Sequence, residues 1–188
     1  MRCRKPAHQL ISSPGPGVRT LEPTSAIFVA SLAILGSAGI AKLFKPDDTA
    51  RALRIAGLPA GRGLVRIGAA AEITVAIVAL AIPGPLTGAL VGASYGAFAG
   101  FVALALLRGW PLASCGCFGR PDTQPGLSHL ALDLGATAFA IWWALEPPRS
   151  IADLVSGQPW SGVALILVSA VVAGLAYLIW TKPSPGTV

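Results

Sequence analysis

Residues 64–107 read LVRIGAAAEITVAIVALAIPGPLTGALVGASYGAFAGFVALALL, a stretch in which Arg66 and Glu72 are the only Lys, Arg, Asp or Glu residues. Pro83-Gly84-Pro85 divides it into two apolar halves. Crossing about 30 Å of hydrocarbon takes roughly 20 residues of helix, because lipid offers the backbone no hydrogen-bonding partner. Each half meets that length, and so short a connector makes the two helices adjacent and antiparallel.

Working outward, three more windows have the same character: Ser25 to Phe44, Leu127 to Leu145 and Gly162 to Trp180. With Leu64 to Ile82 and Leu86 to Leu107 they predict an all-α polytopic membrane bundle of about five transmembrane helices. The whole chain agrees. Its 188 residues are 54% apolar and 12% charged, with a mean hydropathy of +0.69, and so small a charged fraction would not solvate the surface of a water-soluble domain. The net charge of +6 comes from basic residues in short connectors and a tail. No basic-aromatic face tracks phosphates, so a nucleic-acid partner is excluded and the bilayer is the expected partner.

Residues 1–24 are basic and then rich in Ser, Pro and Gly, without an apolar run of seven. They read as a disordered tail rather than a cleavable signal peptide. In the longer connectors, Asp47 or Asp48 is expected to cap a short interfacial helix ended by Gly57 and Pro59, with Arg51 and Arg54 at the lipid surface. Ser150 is expected to cap a brief turn. Residues 146–188 then form a linker, the fifth span and a short tail. Gly88, Gly92, Gly96 and Gly100 recur every four residues in the third span. Small residues let helices in lipid approach closely, and packing within the monomer is the plainer reading of this stripe than a dimer face.

An ionised carboxylate at bilayer depth costs about 2.5–3.5 kcal/mol on insertion scales and usually faces the bundle interior. There are two, Glu72 and Asp133. Asp133 shares a helical stripe with His129 and Thr137 that should point inward. If the end bearing the N-terminus is end A, five alternating spans bring Lys42, Arg66, His129 and the connector 108–126 to end B. Glu72 lies roughly 12 Å and Asp133 roughly 9 Å inside that boundary. Lys42, Arg66, Glu72 and Asp133 are thus candidates for one polar pocket. The plainer alternatives are headgroup-seeking side chains for Lys42 and Arg66, structural polar groups for the acids and an interfacial histidine for His129.

The most specific motif is Ser114-Cys115-Gly116-Cys117-Phe118-Gly119, after Arg108-Gly109. Two thiols at i and i+2 close a small, strained ring that reduces readily and adds little stability, which suits exchange better than stapling. Arg108, Arg120 or His129 could favour the reactive thiolate. A structural zinc site needs four ligands, and no second cysteine pair is present, so no metal is assigned. Two reduced cysteines without a role and a Cu(I) pair are the alternatives.

These residues resemble a known family, the MauE/DoxX-type redox-associated membrane proteins, and specifically the MauE family of methylamine utilisation. The resemblance rests on Ala38-Gly39-Ile40-Ala41-Lys42-Leu43, on Glu72, and on Arg108-Gly109 followed by Cys115-Gly116-Cys117-Phe118-Gly119. It spans residues 25–145, which would make the first four transmembrane helices a family-like core carrying the cysteine loop at 114–119. The chain departs from it at Leu132-Asp133, where an Arg-Asn-like pair is expected, and in its tail and fifth span. The resemblance implies an integral cell-membrane helper in maturation or disulfide formation of a redox enzyme, with that enzyme or another thiol-disulfide protein as partner.

On this reading Cys115 and Cys117 are the catalytic pair of a thiol-disulfide oxidoreductase and His129 is a proton partner. A membrane quinone is compatible as electron acceptor, although no residue identifies its site. A small-molecule or proton transporter using Glu72 and Asp133, and a non-catalytic assembly or Cu(I)-handling scaffold, are the rival functions. Basic residues near the spans concentrate at end B, which the positive-inside rule assigns to the cytoplasm. An exported-disulfide role requires the thiols on the opposite, oxidising side.

Overall fold

The computed structural model describes residues 23–110, 126–145 and 163–181. Six helices are found there: α1 (Pro23–Phe44), α2 (Pro46–Ile55), α3 (Arg62–Ala81), α4 (Pro85–Arg108), α5 (Leu127–Leu145) and α6 (Val163–Thr181). The five apolar windows coincide with α1, α3, α4, α5 and α6 to within two residues at every end. No strand occurs among the described residues, so the fold is an all-helical bundle. By length and composition α1, α3 and α4 can each cross a membrane. The polar His129 and Asp133 interrupt the apolar run of α5. Ile67, Ile77, Leu86, Leu107 and Leu134 are exposed on the outside of the bundle, as expected of helices whose solvent is lipid rather than water.

The core gathers Phe28, Leu32 and Leu35 from α1, Ala76 and Ala79 from α3, Val91 and Tyr95 from α4, and Ala140 and Trp143 from α5. Phe28 and Trp143 stack with ring centroids 4.4 Å apart. The principal helix pairs are α1 with α3 and α4 with α5. Sequence neighbours α3 and α4 are joined by the expected tight connector, in which Thr87 Oγ1 accepts from the Gly84 N–H at 2.9 Å. They nevertheless touch more sparingly than either principal pair. A short connector fixes which helix comes next, whereas side-chain size decides which helix packs closest.

The glycine stripe supplies that decision. A Cβ at Gly88 would lie 3.0 Å from both Cα and Cβ of Ala144, one at Gly92 would lie 3.3 Å from Ile141 Cγ1, and one at Gly96 would meet Thr137 at 3.6 Å. Three of the four glycines therefore seat α5, which is the packing use of the stripe. At Gly100 a Cβ would find nothing within 4 Å.

The expected cap on α2 is different. Its N-cap is Lys45, without a side-chain cap, and Pro46 occupies the first turn. Proline needs no hydrogen bond for its nitrogen there, so neither Asp47 nor Asp48 is required as the cap, although both carboxylates sit favourably at the positive end of the helix dipole. Asp47 instead accepts from Arg62, tying the start of α2 to that of α3. Gly57 and Gly109, with φ of +73° and +59°, end α2 and α4 in the left-handed region that glycine adopts without steric cost. Ala52 of α2 packs with Ala105 of α4, against Phe101 and Trp110. The α2 connector and the cysteine-bearing connector therefore join the bundle at the same end. Of the tail expected over residues 1–24, Pro23 and Thr24 belong to α1; residues 1–22, the turn at Ser150 and both cysteines of the 114–119 motif lie outside the described residues.

Candidate functional site

The α1/α3 pair is close because Gly39 has no side chain. A Cβ there would lie 2.8 Å from Ile73 Cγ1 and 2.9 Å from the Ala69 carbonyl oxygen. Helical side chains lean toward the N-terminus of their own helix. In this antiparallel pair Lys42, one turn beyond Gly39, leans into the bundle, while Glu72 leans toward end B. They meet. Lys42 Nζ donates to Glu72 Oε1 at 2.6 Å and to Oε2 at 2.7 Å. Lys42 is only 4% exposed, so it does not reach out to the headgroups. Its ammonium also lies 4.3 Å from the centroid of the Phe98 ring, a cation–π contact from α4.

Tyr95, one turn from Phe98, packs edge-on against it with centroids 6.1 Å apart and donates its hydroxyl to the Ser31 carbonyl at 2.7 Å. On α5, His129 and Asp133 are 3% and 4% exposed. Thr137 completes their stripe by donating Oγ1 to the Asp133 carbonyl at 2.7 Å. This face is turned inward, and Thr137 meets α4 at Gly96.

Arg66 is exposed. Six residues before Glu72, it sits on another side of α3. Apolar patterning alone marks neither Phe98 nor Tyr95, and Gly39 stands out only as part of the Ala38–Leu43 string. Gly39 three residues before Lys42, and Tyr95 and Phe98 at helical spacing, were the available signals.

Above the ion pair is a cavity of about 460 Å³ bounded by α1, α2, α3 and α4, whose lining includes Lys42, Thr49, Glu72 and Phe98. Among the described residues no three of His, Cys, Asp and Glu converge as a metal site would require. A helical membrane bundle with a buried ammonium paired to a partly buried carboxylate beneath an apolar cavity is thus the class that fold and site define.

The family described as methylamine utilisation protein MauE matches residues 21–146. That is most of the chain and includes α1 to α5, and the protein belongs to the MauE family. No curated protein and no solved structure matches it.

Proposed function

We propose that this MauE-family membrane protein carries out thiol–disulfide exchange through Cys115 and Cys117 in the cell membrane, serving the maturation of a redox enzyme of methylamine utilisation. The observation that carries the reading is the Cys-Gly-Cys motif in the connector that leaves α4 at Arg108 and rejoins the bundle at Gly126, within a family match running through both helices. The end where that connector attaches is also the end of Lys42 and of α2, whose Ala52 packs on Ala105.

The concentration of basic residues at this end favours a cytoplasmic location, where the pair rests as two thiols. One thiolate attacks a disulfide of the partner protein and forms a mixed disulfide, releasing one partner thiolate. The second cysteine then attacks its neighbour's sulfur, closing the Cys115–Cys117 bond and releasing the other partner thiolate. Two electrons and two protons pass from the cysteine pair to the partner, and a cytoplasmic dithiol reductant returns them to Cys115 and Cys117 by the same exchange, being itself oxidised to a disulfide. His129, near the start of α5 where the connector rejoins the helix, is the proposed proton partner.

The test is growth on methylamine, combined with labelling of intact cells by a membrane-impermeant maleimide. In a Cys3→Ser background, which leaves Cys115 and Cys117 as the only thiols, labelling should require permeabilised cells, and Cys115→Ser and Cys117→Ser should each abolish growth while the protein is still inserted. Full growth of both variants would refute the exchange role. A transporter that uses the acids would instead lose function on Glu72→Gln and Asp133→Asn and keep it in the cysteine variants.

A further inference from the structure

The cavity between α3 and α4 has a chemistry that the cysteines do not explain. Its rim carries Leu64 and Gly68 from α3 and Ala97 and Leu104 from α4, all four exposed. It opens sideways, where a membrane-spanning bundle faces lipid, and a ligand that fits it reaches it from the bilayer. The volume of about 460 Å³ falls within the range of small-molecule sites, roughly 300–1,000 Å³.

Charge narrows the occupant. Lys42 and Glu72 neutralise each other at the base of the cavity. The position over the Phe98 ring, where an organic cation would be attracted, is already filled by the Lys42 ammonium. A charged ligand would therefore enter an apolar site without a countercharge of its own, at high desolvation cost. A neutral ligand escapes that cost. The ammonium has three N–H donors, and Glu72 accepts from it through both oxygens. The remaining donor has only the π face of Phe98 among the described residues, a weaker acceptor than a carbonyl oxygen. Phe98 and Phe101 in the wall provide flat surfaces for a ring.

We infer that this cavity binds a neutral, lipid-soluble ring compound bearing a carbonyl group, with the carbonyl oxygen accepting from Lys42 and the ring against Phe98 and Phe101. The inference concerns binding alone and holds whether or not Cys115 and Cys117 exchange disulfides.

The test uses the full-length protein in phosphatidylcholine nanodiscs, with decylubiquinone as probe and n-decylbenzene as a ring-and-tail control without the carbonyl. Saturable decylubiquinone binding is expected, with the control weaker by about tenfold or more, the ratio that one hydrogen bond from a charged donor supplies. Cβ atoms at Gly68 and Gly100 would meet nothing within 4 Å, so Gly68→Leu and Gly100→Leu can fill the cavity without displacing backbone. Each should abolish binding without lowering Tm, while Gly174→Leu on α6, remote from the cavity, should bind as the wild type does.

A photoreactive azidoquinone on the wild type provides a reading that depends on no variant, and adducts are expected within 64–72 or 97–104. Absence of saturable wild-type binding, equal affinity for decylbenzene, undiminished binding by both filled variants, or adducts confined to other segments would each overturn the inference. Growth of the cysteine variants tests the exchange role separately, so failure of either idea leaves the other standing.

Discussion

Breaking the Lys42–Glu72 pair from one side should cost more than breaking it from the other, and a double-mutant cycle measures the difference. Lys42 is two residues from the end of α1 at Phe44, about 3 Å along the axis at 1.5 Å per residue. Its four-carbon stem can swing outward and return the ammonium to the headgroups once Glu72 is gone. Glu72 is ten residues past Arg62, the first residue of α3, about 15 Å along the axis, and its shorter side chain has no such escape. Lys42→Met therefore strands a buried carboxylate and should destabilise the bundle by about 3 kcal/mol or more, whereas Glu72→Leu should cost about 1–2 kcal/mol. The double variant Lys42→Met/Glu72→Leu removes both charges together and should cost no more than about 1 kcal/mol, because apolar replacement of an entire buried pair is often neutral. The resulting coupling is at least about 3 kcal/mol. Unfolding of the purified protein by steric trapping in lipid bicelles measures all four corners. Equal losses in the two single variants, with a double variant equal to their sum, would refute both the coupling and the escape route proposed for Lys42.

Gly39→Ala places a methyl 2.9 Å from the Ala69 carbonyl oxygen, so α1 and α3 must move apart by a few tenths of an ångström. The expected loss is about 1–3 kcal/mol, read by the same unfolding assay, and weakening of the ion pair should reduce its coupling in the cycle. Along the glycine stripe, Gly88→Val should destabilise strongly because Ala144 backbone lies 3.0 Å from the added Cβ. Gly100→Ala should be neutral or mildly stabilising, since alanine is favoured over glycine in a helix by about 1 kcal/mol; equal thermal shifts for these two variants would contradict the α4/α5 register.

The helices were legible because a run of about 20 mostly apolar residues signals a helix in lipid, and each of the five windows is a helix, three of them long and apolar enough to cross the membrane. The plainer reading of the glycine stripe was legible for a similar reason, since small residues at one helical spacing have one main use in lipid. The Lys42–Glu72 partnership was not. Counted along their helices, one residue is near a boundary and the other well inside it, and the spacing alone leaves them at different depths. Two facts of three-dimensional geometry close the gap: side chains of antiparallel helices lean toward each other, and Gly39 brings the two backbones together. The separation of α3 from α4 was equally invisible. Pro83-Gly84-Pro85 requires them to be consecutive, but the close contacts that Gly88, Gly92 and Gly96 make with α5 draw α4 toward a different partner.

The same geometry sharpens the argument about which way the bundle faces. The positive-inside rule concerns basic residues beside the membrane surface, and Lys42, buried against Glu72, no longer belongs in that count. Lys45, Arg51, Arg54, Arg62, Arg66 and Arg108 do belong, and every one is exposed. The bias thus survives removal of the residue that sequence alone would have counted. It is also anchored, because α2, which carries Arg51 and Arg54, is held to the bundle by Ala52 against Ala105 and by Asp47 with Arg62. Thr49, Ala52 and Leu53 of this helix roof the cavity, so the basic surface and the cavity belong to one half of the membrane. A ligand entering between α3 and α4 would do so from the leaflet that this basic surface selects, at the end of the bundle from which the cysteine connector departs.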